Sequence, residues 1–380
     1  MSIVGLWPYQ NANLRRLQIA FVCIFFYYFI IAQLLAFKTK EFSLSLLLKN
    51  LPPILMCACA VVKFNTFWYH ANTIKELMEE IRYDWSTKRA EIFQIIQNRA
   101  GSAKHYATMY ASFIYPSACI VTICHLASFI LNTKAAENGT RINYFPIMTE
   151  YLIDQDKYLY LIVLHQNLSL FICASIFVAT ETLFIMWMHH AASLFEVASY
   201  HIEEAVTYGS ALPTISQDHT DNTSKMCLRD AVLAHEKASK FVREMNMRLD
   251  ASYTFILVFG TISLSVNFFR LSRAICLTHD LEELAISLLF SITELGYMFY
   301  LNYVVQLMLD YANRLVTVIY NTNWYRTSIY IQKLLLIIMI KCTEPVSYPI
   351  FGFYFASIEG FATLVRNTMS YFMMMTSIEV

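Results

Sequence analysis

"LQIAFVCIFFYYFIIAQLLAF", residues 17–37, runs for 21 residues without a single charge. As a helix rising about 1.5 Å per residue it covers about 30 Å, the hydrocarbon thickness of a bilayer. It is too long for the apolar part of a cleavable leader, so we expect it to be kept and to serve as its own insertion signal. Composition extends the point to the whole chain. Of 380 residues, 57% are hydrophobic and only 15% charged, against about a quarter charged in an ordinary soluble domain. The mean hydropathy is +0.45. Such a chain is a polytopic membrane protein that takes the lipid bilayer as its solvent. Its 28 Lys and Arg balance its 28 Asp and Glu, so net charge gives no ground for a nucleic-acid partner.

Working outward, we expect an all-α protein with seven transmembrane helices at 17–37, 44–64, 105–131, 158–190, 251–269, 284–309 and 349–378. The second carries Lys49 and Pro52-Pro53, and a kink is expected there. The stretch "SIYIQKLLLIIMIKC" (328–342) is apolar on nearly all sides, yet at about 22 Å is too short to span. A helix apolar all round must bury itself against protein, which points to an oligomer. Residues 65–104 and 191–250 are charged and amphipathic and should carry the membrane helices on into water. Within them, 206–225 has the Gly, Pro and Ser content of a loop.

Nine cysteines, most of them within apolar segments, read as buried thiols and not as a disulfide framework. Orientation stays open on these grounds. Lys and Arg are spread over both sets of loops, and two glycosylation sequons in the loops, at Asn138 and Asn222, favour opposite sides.

Enzyme chemistry is not indicated: no G-x-S-x-G, P-loop, H-E-x-x-H or G-x-G-x-x-G is present. His189-His190 with Glu196 and His201 fit no metal-ligand spacing and read as polar residues closing a span. No metal or cofactor is expected. Charges inside apolar runs are more informative, because each costs at least about 2.5–3.5 kcal/mol at mid-bilayer unless it faces protein or water. They are Glu181, Glu294, Glu359 and Arg366. Glu359 and Arg366 stand two turns apart on one face, suited either to assembly or to conduction. Beside Glu294, Tyr297 and Tyr300 share a helix face. With Phe113, Tyr115, His125, His165 and Phe171 they are candidates to line an apolar cavity with a few polar handles. On the last helix Asn367, Ser370, Tyr371, Met374 and Ile378 form one stripe, polar at one end and apolar at the other. A dewetting gate has that pattern, as do methionines facing lipid.

Four stretches resemble insect odorant receptors, particularly hymenopteran members. They are "FPIMTEYLIDQDKYLYLIVLH" (145–165), "ATETLFIMWMHHAASLFEVASYHIEEAV" (179–206), "VIYNTNWYRTSIYIQKLLLIIMIKC" (318–342) and "GFYFASIEGFATLVRNTMSYFMMM" (352–375). The third holds a Trp landmark, Trp324, followed by Gln-x-Leu-Leu; the fourth holds Glu359, Arg366 and Ser370-Tyr371-Phe372.

The resemblance implies a cytoplasmic N-terminus and an extracellular C-terminus, inverted relative to G-protein-coupled receptors. It implies an odorant-binding subunit that assembles with a coreceptor into a heterotetrameric, non-selective cation channel of the sensory dendrite's plasma membrane. Residues 1–309 would then be the six-helix ligand-binding region, with the pocket among the second, third, fourth and sixth spans. Residues 310–348 would be a cytoplasmic anchor, and 349–380 the pore helix with its gate at Met374 and Ile378. Trp324, Leu334, Leu335, Glu359 and Arg366 would serve assembly, Asn138 would be the glycosylated sequon, and Asn222 would be cytoplasmic and unused. The chain would end in the membrane because its end is the gate. Ligands would be small apolar odorants or contact semiochemicals, with cuticular hydrocarbons one class. Met373 to Met375 stand where the family usually has Val or Leu, which implies a wider or softer constriction.

A gustatory receptor channel is the alternative, although its usual terminal T-Y-hhhh-Q-F pattern is missing. A G-protein-coupled receptor would need D-R-Y and N-P-x-x-Y motifs that are absent, and no inverted repeat favours a transporter.

Overall fold

The computed structural model describes residues 1–39, 43–137, 147–210, 217–278, 281–344 and 346–379. The chain is almost wholly helical. In order it runs α1 (Ala12–Thr39), α2 (Leu44–Tyr69), α3 (Ala71–Asp84), α4 (Ala90–Glu137), α5 (Gln155–Gly209), α6 (Gln217–Arg273), α7 (Leu281–Asn313), α8 (Leu315–Asn321), α9 (Ile329–Cys342) and α10 (Ile358–Glu379). A π turn, Ala274–Thr278, extends α6, and a hairpin of β1 (Pro349–Ile350) and β2 (Tyr354–Phe355) precedes α10.

Six helices are long and apolar enough to cross a membrane: those over Ala12–Thr39, Leu44–Tyr69, Ala90–Ala127, Lys157–Gly209, His219–Leu277 and Glu283–Asn313. The seventh expected span differs in two respects. It begins at Ile358 and not at 349, because the chain first reverses through Phe351 and Gly352 at φ 50° and 73°. It also has the length, 22 residues, but its polar side chains keep it outside the set defined by length and apolarity. Through Pro52 and Pro53, where a kink was expected, α2 stays helical with both rings buried.

The charged stretches do continue the membrane helices. α5 has 55 residues and α6 has 57, about 80 Å each. The 206–225 loop is shorter than its composition indicates, since α5 runs to Gly209 and α6 starts at Gln217. All nine cysteines are free thiols.

Two apolar cores are strung along these long helices. The larger gathers α1, α2, α4, α5, α6 and α7 around Trp187, Phe184, Tyr110 and Phe67. The smaller packs Ala198, Ile202 and Ala205 of α5 and Leu228 of α6 against Leu315 of α8 and Ile331 and Leu335 of α9. Between them lies a belt of ion pairs. Arg99 meets Glu196 at 2.5 Å and Arg89 meets Glu204 at 2.7 Å. Asp84 is bonded by Lys237 and, at 3.2 Å, by His190. His201 meets Glu204 at 3.3 Å. The histidines that close the α5 span are therefore engaged with carboxylates or, for His189, with the Tyr106 ring at 5.2 Å. Among the described residues no group of three or more His, Cys, Asp or Glu could hold a metal.

Two predictions follow from contacts in these layers. A Cβ on Gly360 would overlap the Phe355 carbonyl oxygen, a backbone atom with nowhere to go, whereas one on Gly101 meets nothing within 4 Å. Thermal unfolding in detergent should therefore show Gly360→Ala destabilised by about 1–3 kcal/mol, and Gly101→Ala unchanged or stabilised by up to about 1 kcal/mol. Burial alone would raise the Asp84 carboxyl, but hydrogen bonds from His190 and Lys237 and the Lys237 charge outweigh it and hold the group below its ordinary range. A depressed folded value means that this contribution is present above the unfolded value of about 3.9 and lost as pH falls through the folded one. Melting scans from pH 6 down to about 3 should show a loss that Asp84→Asn, already lacking the contribution, does not share.

Candidate functional site

Five helices converge on a cavity of about 110 Å³. Pro52, Met56 and Cys59 of α2, Tyr110, Ile114 and Val121 of α4, and Leu170, Cys173 and Phe177 of α5 supply one side. Phe259, Gly260 and Asn267 of α6 and Phe290, Glu294 and Tyr297 of α7 supply the other. The walls are almost wholly apolar, and the small residues that make room are Gly260, Ala118 and Ala174. A volume of this order is many times the space of about 10–15 Å³ that one water needs.

A buried ion pair closes one end. Lys63 of α2 and Glu181 of α5, both with fully buried side chains, are in direct contact. The Tyr253 and Tyr297 hydroxyls each donate to Glu181 at 3.0 Å, and the Lys63 ammonium lies 4.4 Å from the centre of the Tyr253 ring. Four helices thus meet at one carboxylate. Behind Tyr297, Met298 and Ile256 lies a second void of about 30 Å³, reaching Tyr348, Ile350 and Tyr354 of the hairpin region. At another part of the main cavity, Asn267 Nδ2 donates to Glu294 at 3.0 Å, and Ser263 is also hydrogen-bonded to that carboxyl.

From the cavity, α7 leads to α10. Asn302 Oδ1 accepts from the Tyr354 hydroxyl at 2.7 Å and from the Ser357 N–H at 3.1 Å. Gln306 Oε1 accepts from the Ile358 N–H at 3.3 Å. These bonds satisfy donors at the start of α10, which a helix N-terminus otherwise leaves open. The wall of the cavity and the anchor of α10 are therefore one helix.

Of the eight residues singled out for ligand contact, Glu294 and Tyr297 line this cavity. Tyr300 stacks on Tyr110 at 5.5 Å and donates to the Tyr106 carbonyl. Phe113 lies over Gly296. Tyr115 faces a shallow groove with Pro116 and Thr182. Phe171 packs against the larger core. His125 bonds Asn167 at 3.1 Å. His165 takes the Tyr151 hydroxyl at 2.8 Å within a cluster of Phe25, Tyr28 and Phe29. That cluster, with Asn50 bonded twice to the Met148 backbone, fastens the segment before α5 onto the bundle.

The fifth span, absent from the expected pocket, contributes a full wall through Ile256, Phe259, Gly260, Ser263 and Asn267. Reading the sequence also missed Lys63 and Tyr253. Lys63 sits where the apolar run of α2 is ending and reads as its flank. Only pairing with Glu181, 118 positions along, gives it meaning.

Asn367, Ser370, Tyr371, Met374 and Ile378 are all exposed, along one edge of the face that carries the buried Leu364 and Thr368. Glu359 and Arg366 are exposed as well, and neither forms an ion pair among the described residues. On α9, Leu335 is buried and Leu334 packs partly on the second core, while Leu336, Ile337 and Ile340 stand open to solvent. Trp324, in a 3₁₀ turn before α9, touches Tyr325 edge-on. Asn138 lies outside the described residues.

A bundle of helices long and apolar enough to cross a membrane, set around an apolar cavity, defines a multi-pass membrane protein with a candidate small-molecule pocket. The family model "7tm Odorant receptor" matches residues 43–369, and the chain belongs to that family, a family of receptors and not of enzymes. Two solved structures share its fold. The insect olfactory receptor OR5 from Machilis hrabei in complex with eugenol superposes with a TM-score of 0.81 over 99% of this chain and 95% of that one, at 12% identity. A second structure of OR5 from Machilis hrabei gives 0.80 with the same coverage and identity. No curated protein matches the sequence.

Removing one member of a buried pair strands the other charge, whereas removing both does not. Lys63→Met or Glu181→Met alone should cost about 3–5 kcal/mol in detergent unfolding, and the double variant should recover most of that. Additive losses in the double variant would show that the two side chains do not act as a pair.

Proposed function

We propose that this chain is the odorant-binding, tuning subunit of a ligand-gated, non-selective cation channel, assembled with a coreceptor as a heterotetramer. Family membership supports the receptor reading. The observation that carries the channel reading is the largely exposed α10, on which one stripe is polar at Asn367, Ser370 and Tyr371 and apolar at Met374 and Ile378. In one copy these side chains are exposed; around a central axis they would form a constriction that opens and closes by wetting.

The bare apolar face of α9 supports assembly at a second level, since Ile337 is 62% exposed and cannot stay so in water. Trp324, Leu334 and Leu335 would shape that junction, and Glu359 and Arg366 would pair between subunits. The three parts of the chain follow: ligand region 1–309, anchor 310–348 and pore helix 349–380. The N-terminus would be cytoplasmic and the C-terminus extracellular, in the plasma membrane of a sensory dendrite, with Asn138 the glycosylated sequon.

OR5 is solved with eugenol bound, and by analogy the 110 Å³ cavity is where a small odorant or contact semiochemical would sit in this chain. Tyr297, between cavity and ion pair, and α7, between cavity and α10, give binding a route to the gate. A ligand opens the channel only by favouring the open arrangement over the closed one.

Whole-cell current from cells expressing the chain with and without an odorant coreceptor tests this. Volatile-evoked cation current should require both subunits. Met374→Ser or Ile378→Ser should raise the ligand-free current severalfold by wetting the constriction, while substitutions on the buried side, such as Leu364→Met, should not. Surface-delivered receptor giving a G-protein signal and no current would overturn the proposal.

A further inference from the structure

Four other carboxyls drawn into the helix bundle each meet a cation. Glu181 meets Lys63, Glu283 meets Arg270 at 2.8 Å, Glu204 meets Arg89 at 2.7 Å, and Asp84 meets Lys237. Glu294 meets none among the described residues. Its partners are the neutral side chains of Asn267 and Ser263, themselves 1% and 2% exposed. Those two fix its position and leave acceptor capacity unused, since a carboxylate has about four lone-pair sites. Glu294 also lines the main cavity.

Lining the same space are Tyr110, Phe177, Phe259, Phe290 and Tyr297. The faces of such rings attract cations. The Tyr110 hydroxyl, in a side chain only 1% exposed, has no hydrogen-bond partner. An acidic group, neutral props, aromatic walls and a spare hydroxyl together describe a receptor for a positive head on an apolar body. A hydrocarbon filling the cavity would leave Glu294 either charged without a partner or obliged to take up a proton, and both are costly. A hydroxyl would give it one hydrogen bond. An ammonium would give it both a charge-assisted hydrogen bond and neutralisation, as Lys63 does for Glu181 a short way along the same bundle.

We propose that the cavity selects small amines carrying an apolar or aromatic tail, with the ammonium on Glu294. This narrows the ligand class of the odorant-binding reading and rests on that reading for its biological sense, but the binding itself is measurable apart from any current. The probes are 2-phenylethylamine, 2-phenylethanol and n-propylbenzene, which are nearly equal in size and differ in the head group.

Thermal protection of the purified full-length chain in detergent should rank amine, then alcohol, then hydrocarbon, with the amine effective at about tenfold lower concentration than the alcohol. Glu294→Gln should erase that tenfold advantage and leave the hydrocarbon response equal or stronger, and Glu294→Asp should keep the rank order. A wild-type chain protected no better by the amine than by n-propylbenzene overturns the proposal. So does a Glu294→Gln chain that keeps the amine preference. The same series applied to chain plus coreceptor separates the two readings. Amine-selective protection without any current counts against the channel alone, and odorant-evoked current with the hydrocarbon ranked first counts against the amine site alone.

Discussion

Lys63 and Glu181 form a salt bridge that water cannot reach, and the rest of the bundle is arranged around what that requires. An ion pair in an apolar interior is tolerated only when its remaining donors and acceptors are matched. Tyr253 and Tyr297 match the carboxylate, and the Tyr253 ring lies against the ammonium. Because the four side chains come from α2, α5, α6 and α7, the helices cannot slide past one another without breaking the set. The cavity sits directly against this junction and shares Tyr297 with it. Its floor is therefore polar chemistry held rigid, and the walls above it are greasy and adaptable. Specific placement of the helices comes from the first and room for a ligand from the second.

The same division recurs further along. The two apolar cores are joined by ion pairs of Arg89, Arg99, Lys237 and His190 with carboxylates. Each core would pack in several registers if it were only apolar. The charges between them select one. α7 then ties the cavity to α10 through Asn302 and Gln306, using side-chain oxygens to hold the helix start. The last helix is thus hung from the wall of the cavity by a few hydrogen bonds and a two-stranded hairpin.

The gross architecture was legible because lipid imposes a strong constraint: long uncharged runs such as 17–37 have no other stable use. The extension of α5 and α6 into water was legible for a similar reason, amphipathic sequence with no break. The pocket was legible only in part. Glu294 is conspicuous in an apolar run and Tyr297 shares its face, but aromatic residues in membrane helices serve packing as often as binding. His165 and Phe113, chosen by the same logic as Tyr297, turned to a loop clamp and a helix–helix contact instead. Lys63 illustrates the deeper difficulty. Its meaning is a distance to Glu181, and no local pattern encodes a distance between residues 118 apart. The start of the last helix was misplaced because apolar content continues through 349–357, while the reversal at Phe351 and Gly352 depends on backbone angles that composition does not record.

The length of α5 and α6 has a mechanical meaning. A straight helix running from the cavity level to the second core covers about 50 Å, so a tilt of about one degree at one end moves the other by nearly an ångström. Packing of close-fitting side chains resists shifts of that size as discrete steps, not as gradual yielding. A shift at the cavity end of either helix is thereby carried to the distant rim where α8 and α9 gather. In that geometry α5 and α6 are levers, and the buried salt bridge and its tyrosines join them close to the cavity end.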